Sequence, residues 1–140
     1  MGDVTSEAII RCGLAGLRRL GFTRQKAAYC FALAERITTG ALSLRRVARA
    51  PVATARAELM EVPGIGPWTA DIYLLMVLRR PDIWPTGDIA LLTALQTLRR
   101  LPRRPTVEEA AAEAAGWAPW RAVAARVLWH GYLSGSLTRA

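Results

Sequence analysis

Asp88 is the side chain in this sequence best placed for chemistry. It precedes Ile89-Ala90-Leu91-Leu92, the start of an apolar helical run, where an aspartate accepts from the first backbone N–H groups of the helix. The helix dipole in turn holds the carboxylate as an anion. Considered without the stretch upstream, Asp88 is a helix N-cap, and the two roles need not exclude each other. Asp71 and Glu61, not far off in the chain, read as surface or helix-polar groups. A second carboxylate facing the same bond, as a two-acid sugar hydrolase requires, is therefore not expected.

The stretch Leu59-Met60-Glu61-Val62-Pro63-Gly64-Ile65-Gly66-Pro67-Trp68-Thr69-Ala70 reads as helix, tight hairpin, helix. The two glycines can turn the chain through positive φ and leave the backbone bare. Pro67 stands where a first helical residue has no use for its N–H. Backbone N–H groups bared in this way attract phosphate, although Gly and Pro suit a plain helix-to-helix turn equally well.

The elements that must carry these residues are all helical. Thr5 or Ser6 caps a first helix that breaks near Gly13 and stops at Gly21. Thr23 caps a second, with Ala27, Phe31, Ala34 and Ile37 as its apolar stripe and Gly40 after it. A short helix around Leu44, Val47 and Ala48 closes at Pro51, and one from about Val52 to Met60 leads into the hairpin. The run from Thr69 to Leu78 is apolar almost all round and is expected to be a central, buried helix ended by Arg79-Arg80-Pro81. A loop and a helix fill 81–98, Leu101 to Pro105 is a stiff linker, and Thr106 with Glu109 forms a capping box for a helix to Ala115. Pro119 is expected to start a last helix, within 119–133, beyond which the polar end frays. The fold class is all-α.

Composition narrows the partners. A chain of 140 residues with 52% hydrophobic content can bury roughly two-thirds of its unfolded surface as one domain. Cys12 and Cys30 are far apart and form no C-x-x-C, so they read as buried, reduced thiols and leave a metal or iron–sulfur site without ligands. No basic, apolar leader and no membrane-length apolar run is present, so a cytoplasmic location and no membrane contact are expected. The net charge of +8 favours a polyanion. The basic residues are eighteen arginines and the one lysine, Lys26; arginine suits phosphate, and a GC-rich genome gives the same bias. His130, the one histidine, reads as a partly exposed helix-end residue.

The whole string from Leu59 to Ala70 resembles the helix-hairpin-helix signature of DNA repair glycosylases, and Asp88 matches the aspartate of that helix-hairpin-helix GPD superfamily. Gly21-Phe22-Thr23-Arg24-Gln25-Lys26-Ala27 and Trp117-Ala118-Pro119-Trp120-Arg121 through Leu128-Trp129 are similar to the 3-methyladenine DNA glycosylase II branch. The likeness runs over nearly the full chain. It implies a monofunctional base-excision enzyme that hydrolyses the N-glycosidic bond of alkylated purines in double-stranded DNA. Asp88 matches the catalytic group. Bifunctional members carry a Schiff-base lysine where this chain has Trp68. Trp68 and Trp129 match aromatic residues of the base pocket, suited by cation–π attraction to a positively charged purine, and Ile72 matches a third pocket position that is aromatic in some relatives. Gly64, Ile65, Gly66 and Thr69 match the phosphate-binding positions. No cofactor is implied beyond a sodium or potassium ion, which the backbone carbonyls of Met60, Val62 and Ile65 could hold at the hairpin.

Relatives carry a further helix or two before the point that Met1 matches, so 1–140 is expected to be a single but partial glycosylase domain. An N-terminal segment or a partner chain would then complete it, and part of the 69–78 helix and of the Ala27-Phe31 stripe should lack cover. Two other readings follow from the same residues. One is a helix-hairpin-helix DNA-binding module without catalysis; the other is an α-helical protein-interaction fragment, which requires buried hairpin glycines and arginines that face away from the hairpin.

Overall fold

The computed structural model describes residues 4–138, and all their regular structure is helical. They fall into two compact units divided between Gly66 and Pro67.

The first unit holds α1 (Ser6–Arg19), α2 (Arg24–Thr38), α3 (Leu44–Arg49) and α4 (Val52–Met60). Thr5, Thr23 and Ser43 cap the first three by accepting from Ala8, Lys26 and Arg46 N–H groups, the role short hydroxyl side chains serve best. α1 bends at Gly13, whose φ is 66°, a left-handed value that glycine adopts without cost. Leu17, Ala27, Ala34, Leu42, Val47, Ala55, Leu59 and Val62 are buried. In the stripe of α2, Ala27 and Ala34 are buried whereas Phe31 and Ile37 are half-buried. Arg46 grips Glu58 with two nitrogens, Nε at 2.9 Å and Nη2 at 2.5 Å, and so ties α3 to α4.

The second unit holds α5 (Pro67–Ile72), α6 (Ile89–Leu98), α7 (Val107–Ala115) and α8 (Arg121–Ser134). Pro67 is the first residue of α5, as its ring favours. The run to Leu78 departs from the expected uniform buried helix. Beyond Ile72 it widens into a π-helical turn, Tyr73–Val77, closed by the Leu78 N–H on the Tyr73 carbonyl at 3.1 Å. Ala70, Asp71, Leu74 and Leu75 are buried, but Met76 and Val77 are exposed, because the apolar residues outnumber the positions one inward face offers. The run ends on Arg79 in the left-handed region, φ 53°.

α6 buries Leu91, Ala94 and Leu95, and α7 buries Ala110 and Ala114 behind the expected Thr106–Glu109 capping box. α8 corrects two expectations. Pro119 follows a cis peptide bond and lies outside the helix, which starts at Arg121 behind Trp120 as N-cap. The expected fraying after α8 gives way, as far as the described residues reach, to regular structure: Gly135 ends α8 at φ 66° and Ser136–Thr138 form a 3-10 turn. Gly131 is buried, and a Cβ there would collide with Leu137.

Candidate active site

The site in the second unit is built by the loop between Leu78 and Ile89, which delivers Asp88. Its near end is fastened to α8. The Ala122 N–H donates to the Pro81 carbonyl at 2.9 Å, and Arg121 grips Asp82 through Nε at 2.6 Å and Nη2 at 2.8 Å. The Arg121 guanidinium holds the Asp82 carboxyl below the usual carboxylate range, against partial burial that pushes it up. The middle of the loop is core: Ile83 and Pro85 are fully buried, and the ring of Trp84 lies 5.6 Å from that of Trp117, tilted by 57°. Gly87 then turns the chain at φ 75°.

Asp88 is the N-cap of α6, with its Oδ1 accepting the Leu91 N–H at 2.9 Å. It is buried, and two indoles reach it as well. Trp68 Nε1 donates to Oδ2 at 2.8 Å and Trp129 Nε1 donates to Oδ1 at 3.2 Å. Three donors around one carboxylate fix its orientation. Trp68 nevertheless leaves 47% of its surface open, so an aromatic face remains available while the ring edge is held. Trp129 and Ile72 are half-buried, Ile72 standing one helical turn beyond Trp68 on α5, and Thr69 is exposed. The sequence-predicted Asp88, Trp68 and Trp129 are thus in direct contact.

Asp71, expected as a surface or helix-polar group, is on α5 but not at its surface. It is fully buried, with Oδ2 accepting the Thr86 N–H at 3.2 Å. Its position three residues after Trp68 was the available signal, because residues so spaced share a helix face. Glu61 is exposed as expected, facing Arg36 at 3.4 Å, and His130 is exposed.

In the first unit the hairpin is a tight turn. The Val62 N–H donates to the Leu59 carbonyl at 3.1 Å, and the Ile65 N–H to the Val62 carbonyl at 3.0 Å. Gly64 and Gly66 are both exposed, contrary to what a protein-interaction fragment requires. The two glycines differ, where the sequence suggested positive φ for both. Gly64 has φ 88°, and a Cβ on it would overlap the ring of Tyr29. Gly66 has no positive φ, and the space where its Cβ would stand is open. Nothing inside the first unit therefore demands glycine at 66.

No group of three or more His, Cys, Asp or Glu residues with metal-binding spacing occurs among the described residues. Cys12 and Cys30 are half-buried free thiols. No helix of the described residues is long and apolar enough to cross a membrane.

A DNA-3-methyladenine glycosylase of Bacillus subtilis is 31% identical over 123 residues, which make up 88% of this chain and 41% of that protein. DNA-3-methyladenine glycosylase 1 of Schizosaccharomyces pombe is 30% identical over 114 residues, 81% of this chain and 50% of that one. The chain therefore spans about half the length, or less, of these relatives. Among solved structures, a Schizosaccharomyces pombe 3-methyladenine DNA glycosylase in complex with abasic DNA superimposes with a TM-score of 0.82 at 28% identity, covering 89% of this chain and 61% of that one. A 3-methyladenine DNA glycosylase of Archaeoglobus fulgidus gives 0.80 at 25% identity, covering 94% and 43%. The model of the HhH-GPD superfamily of base excision DNA repair proteins matches residues 1–119, and the chain belongs to that family.

Proposed function

We propose that this chain carries the reaction centre of a monofunctional DNA glycosylase that removes alkylated purines of the 3-methyladenine type from double-stranded DNA. The observation that carries the reading is the Asp88 carboxylate held by the indole N–H groups of Trp68 and Trp129. In the reaction the bond between the sugar C1′ and the base nitrogen breaks. Its electron pair leaves with the base, which is neutral on departure if alkylation had made it cationic, so no acid need protonate it. Water then adds to C1′ and loses a proton. Asp88 supplies a fixed negative charge to the oxocarbenium-like sugar as the bond opens. Trp68 presents its open face to the base, where an electron-rich ring favours a cationic purine over a neutral one, with Trp129 and Ile72 as the other walls. No lysine stands at position 68 to attack the sugar, so water is the nucleophile.

The duplex is gripped at the hairpin. There the bare backbone at Gly64 and Gly66 meets a phosphate, and in the second unit the exposed Thr69 hydroxyl is a phosphate donor in its own right. The Ile65 N–H is taken up by the turn, so Ile65 serves through its carbonyl. A sodium or potassium ion on the carbonyls of Met60, Val62 and Ile65 belongs to the same reading; the Val62 carbonyl keeps a second lone pair after accepting from Ile65.

The test is release of 3-methyladenine from alkylated duplex DNA under single-turnover conditions. Release of the free base with an intact abasic strand supports the reading. Strand cleavage through a borohydride-trappable adduct, or no release by protein that binds the duplex, contradicts it.

A further inference from the structure

We propose that Asp71 is a positioning residue for Asp88, its buried carboxylate fixing the loop that brings Asp88 to the indole of Trp68. The proposal rests on Asp88 being the reacting group and concerns a residue that acts through it. Asp71 is fully buried, a position where a carboxylate is seldom found unless its oxygens are satisfied. Its Oδ2 accepts the Thr86 N–H at 3.2 Å.

Asp71 and Trp68 lie one turn apart on α5 and leave the same face of it. Thr86 and Asp88 flank Gly87 in the loop, where φ is 75°. Helix and loop are thus joined by two rungs of opposite sense. In one the helix donates, from Trp68 Nε1 to Asp88 at 2.8 Å. In the other the loop donates, from Thr86 N to Asp71. A single rung would let the loop pivot about Asp88, whereas two fix its register along the helix. The fully buried Pro85 just before Thr86 has no N–H to offer. With Gly87 the most deformable link in this stretch, the Thr86 rung sets where the Asp88 carboxylate stands relative to Trp68.

The variants Asp71→Ala and Asp71→Asn separate this role from general support, since the amide oxygen of Asn still accepts from Thr86. Single-turnover excision by Asp71→Ala should fall about tenfold to a hundredfold, as a misplaced reacting group costs, with duplex affinity little changed and Asp71→Asn retaining most of the rate. In ¹⁵N-labelled protein the indole N–H resonance of Trp68, which reports the bond to Asp88, should move in Asp71→Ala and stay in Asp71→Asn. A merely structural role would lower the melting temperature without singling out that resonance. Hydrogen exchange of the Thr86 amide in the unaltered protein needs no variant and should be slow. Exchange at the rate of an exposed loop amide overturns the proposal even if Asp71→Ala does not fold. An unmoved Trp68 resonance with an unchanged rate in Asp71→Ala, or an Asn variant as impaired as the Ala variant, overturns it too. If the unaltered protein releases no alkylated base, the functional reading fails, while the exchange rate and the indole resonance still decide the positioning.

Discussion

The indole N–H of Trp68 is donated to Oδ2 of Asp88 at 2.8 Å, between residues twenty positions apart. One contact thereby fixes both the edge of the half-open indole and the position of the carboxylate; in the proposed reaction these are the face offered to the base and the negative charge beneath its sugar. A phenylalanine would keep an aromatic ring at 68 and lose the N–H donated to the carboxylate, which makes the indole nitrogen the informative atom to remove.

Trp68→Phe and Trp129→Phe should each lower single-turnover excision by on the order of tenfold, the scale of a hydrogen bond to a charged group. Affinity for an abasic duplex should change little. Each effect should vanish in an Asp88→Asn background, because both act through the same carboxylate. Additive losses in the double variants would show that the indoles act independently of Asp88.

Most helix boundaries were legible from local signals, because caps and glycines act within a few residues. Thr5, Thr23, Thr106 and Asp88 all cap as read, and α4 spans Val52–Met60 as expected. Asp88, Trp68 and Trp129 were legible through the resemblance of the hairpin string and the segments around it. The rest depended on contacts distant in sequence. Asp71 reads locally as a surface or helix-polar group; its spacing from Trp68 places it on that helix face, but nothing local reveals that a loop N–H fifteen positions on would meet it. The π-helical turn at Tyr73–Val77 has no composition signal. Pro119 looked like a helix start because Pro is common there, yet the first helical residue is Arg121, drawn in by Asp82 thirty-nine positions earlier.

The two hairpin glycines should respond differently. Gly66→Val meets open space at an ordinary φ, so the variant should melt like the unaltered protein yet lose duplex affinity for all sequences alike, since backbone contacts carry no base readout. Gly64→Ala must strain a φ of 88° and displace the Tyr29 ring, and should cost about 1–3 kcal/mol of stability. Thermal melting and titration with an undamaged duplex check both. A folded Gly66→Val with unchanged affinity would remove the hairpin from the DNA contact.

The Asp82–Arg121 tie gives a pH signature. Arg121 holds the folded carboxyl below its usual 3.8, so the tie adds stability above the unfolded value, and this is lost as pH falls through the lower folded one. The difference in melting temperature between the unaltered protein and Asp82→Asn should be level at neutral pH and shrink below about pH 4. A difference that grows on acidification would contradict the assignment.

The most direct measurement is single-turnover excision by Asp88→Asn beside its affinity for an abasic duplex. The amide keeps an oxygen to accept the Leu91 N–H and so cap α6, and it removes the charge. The expected result is a rate lower by on the order of a hundredfold or more, with duplex binding intact or tighter. Excision at close to the unaltered rate would show that the carboxylate held by Trp68 and Trp129 is a helix cap and not the group that does the chemistry.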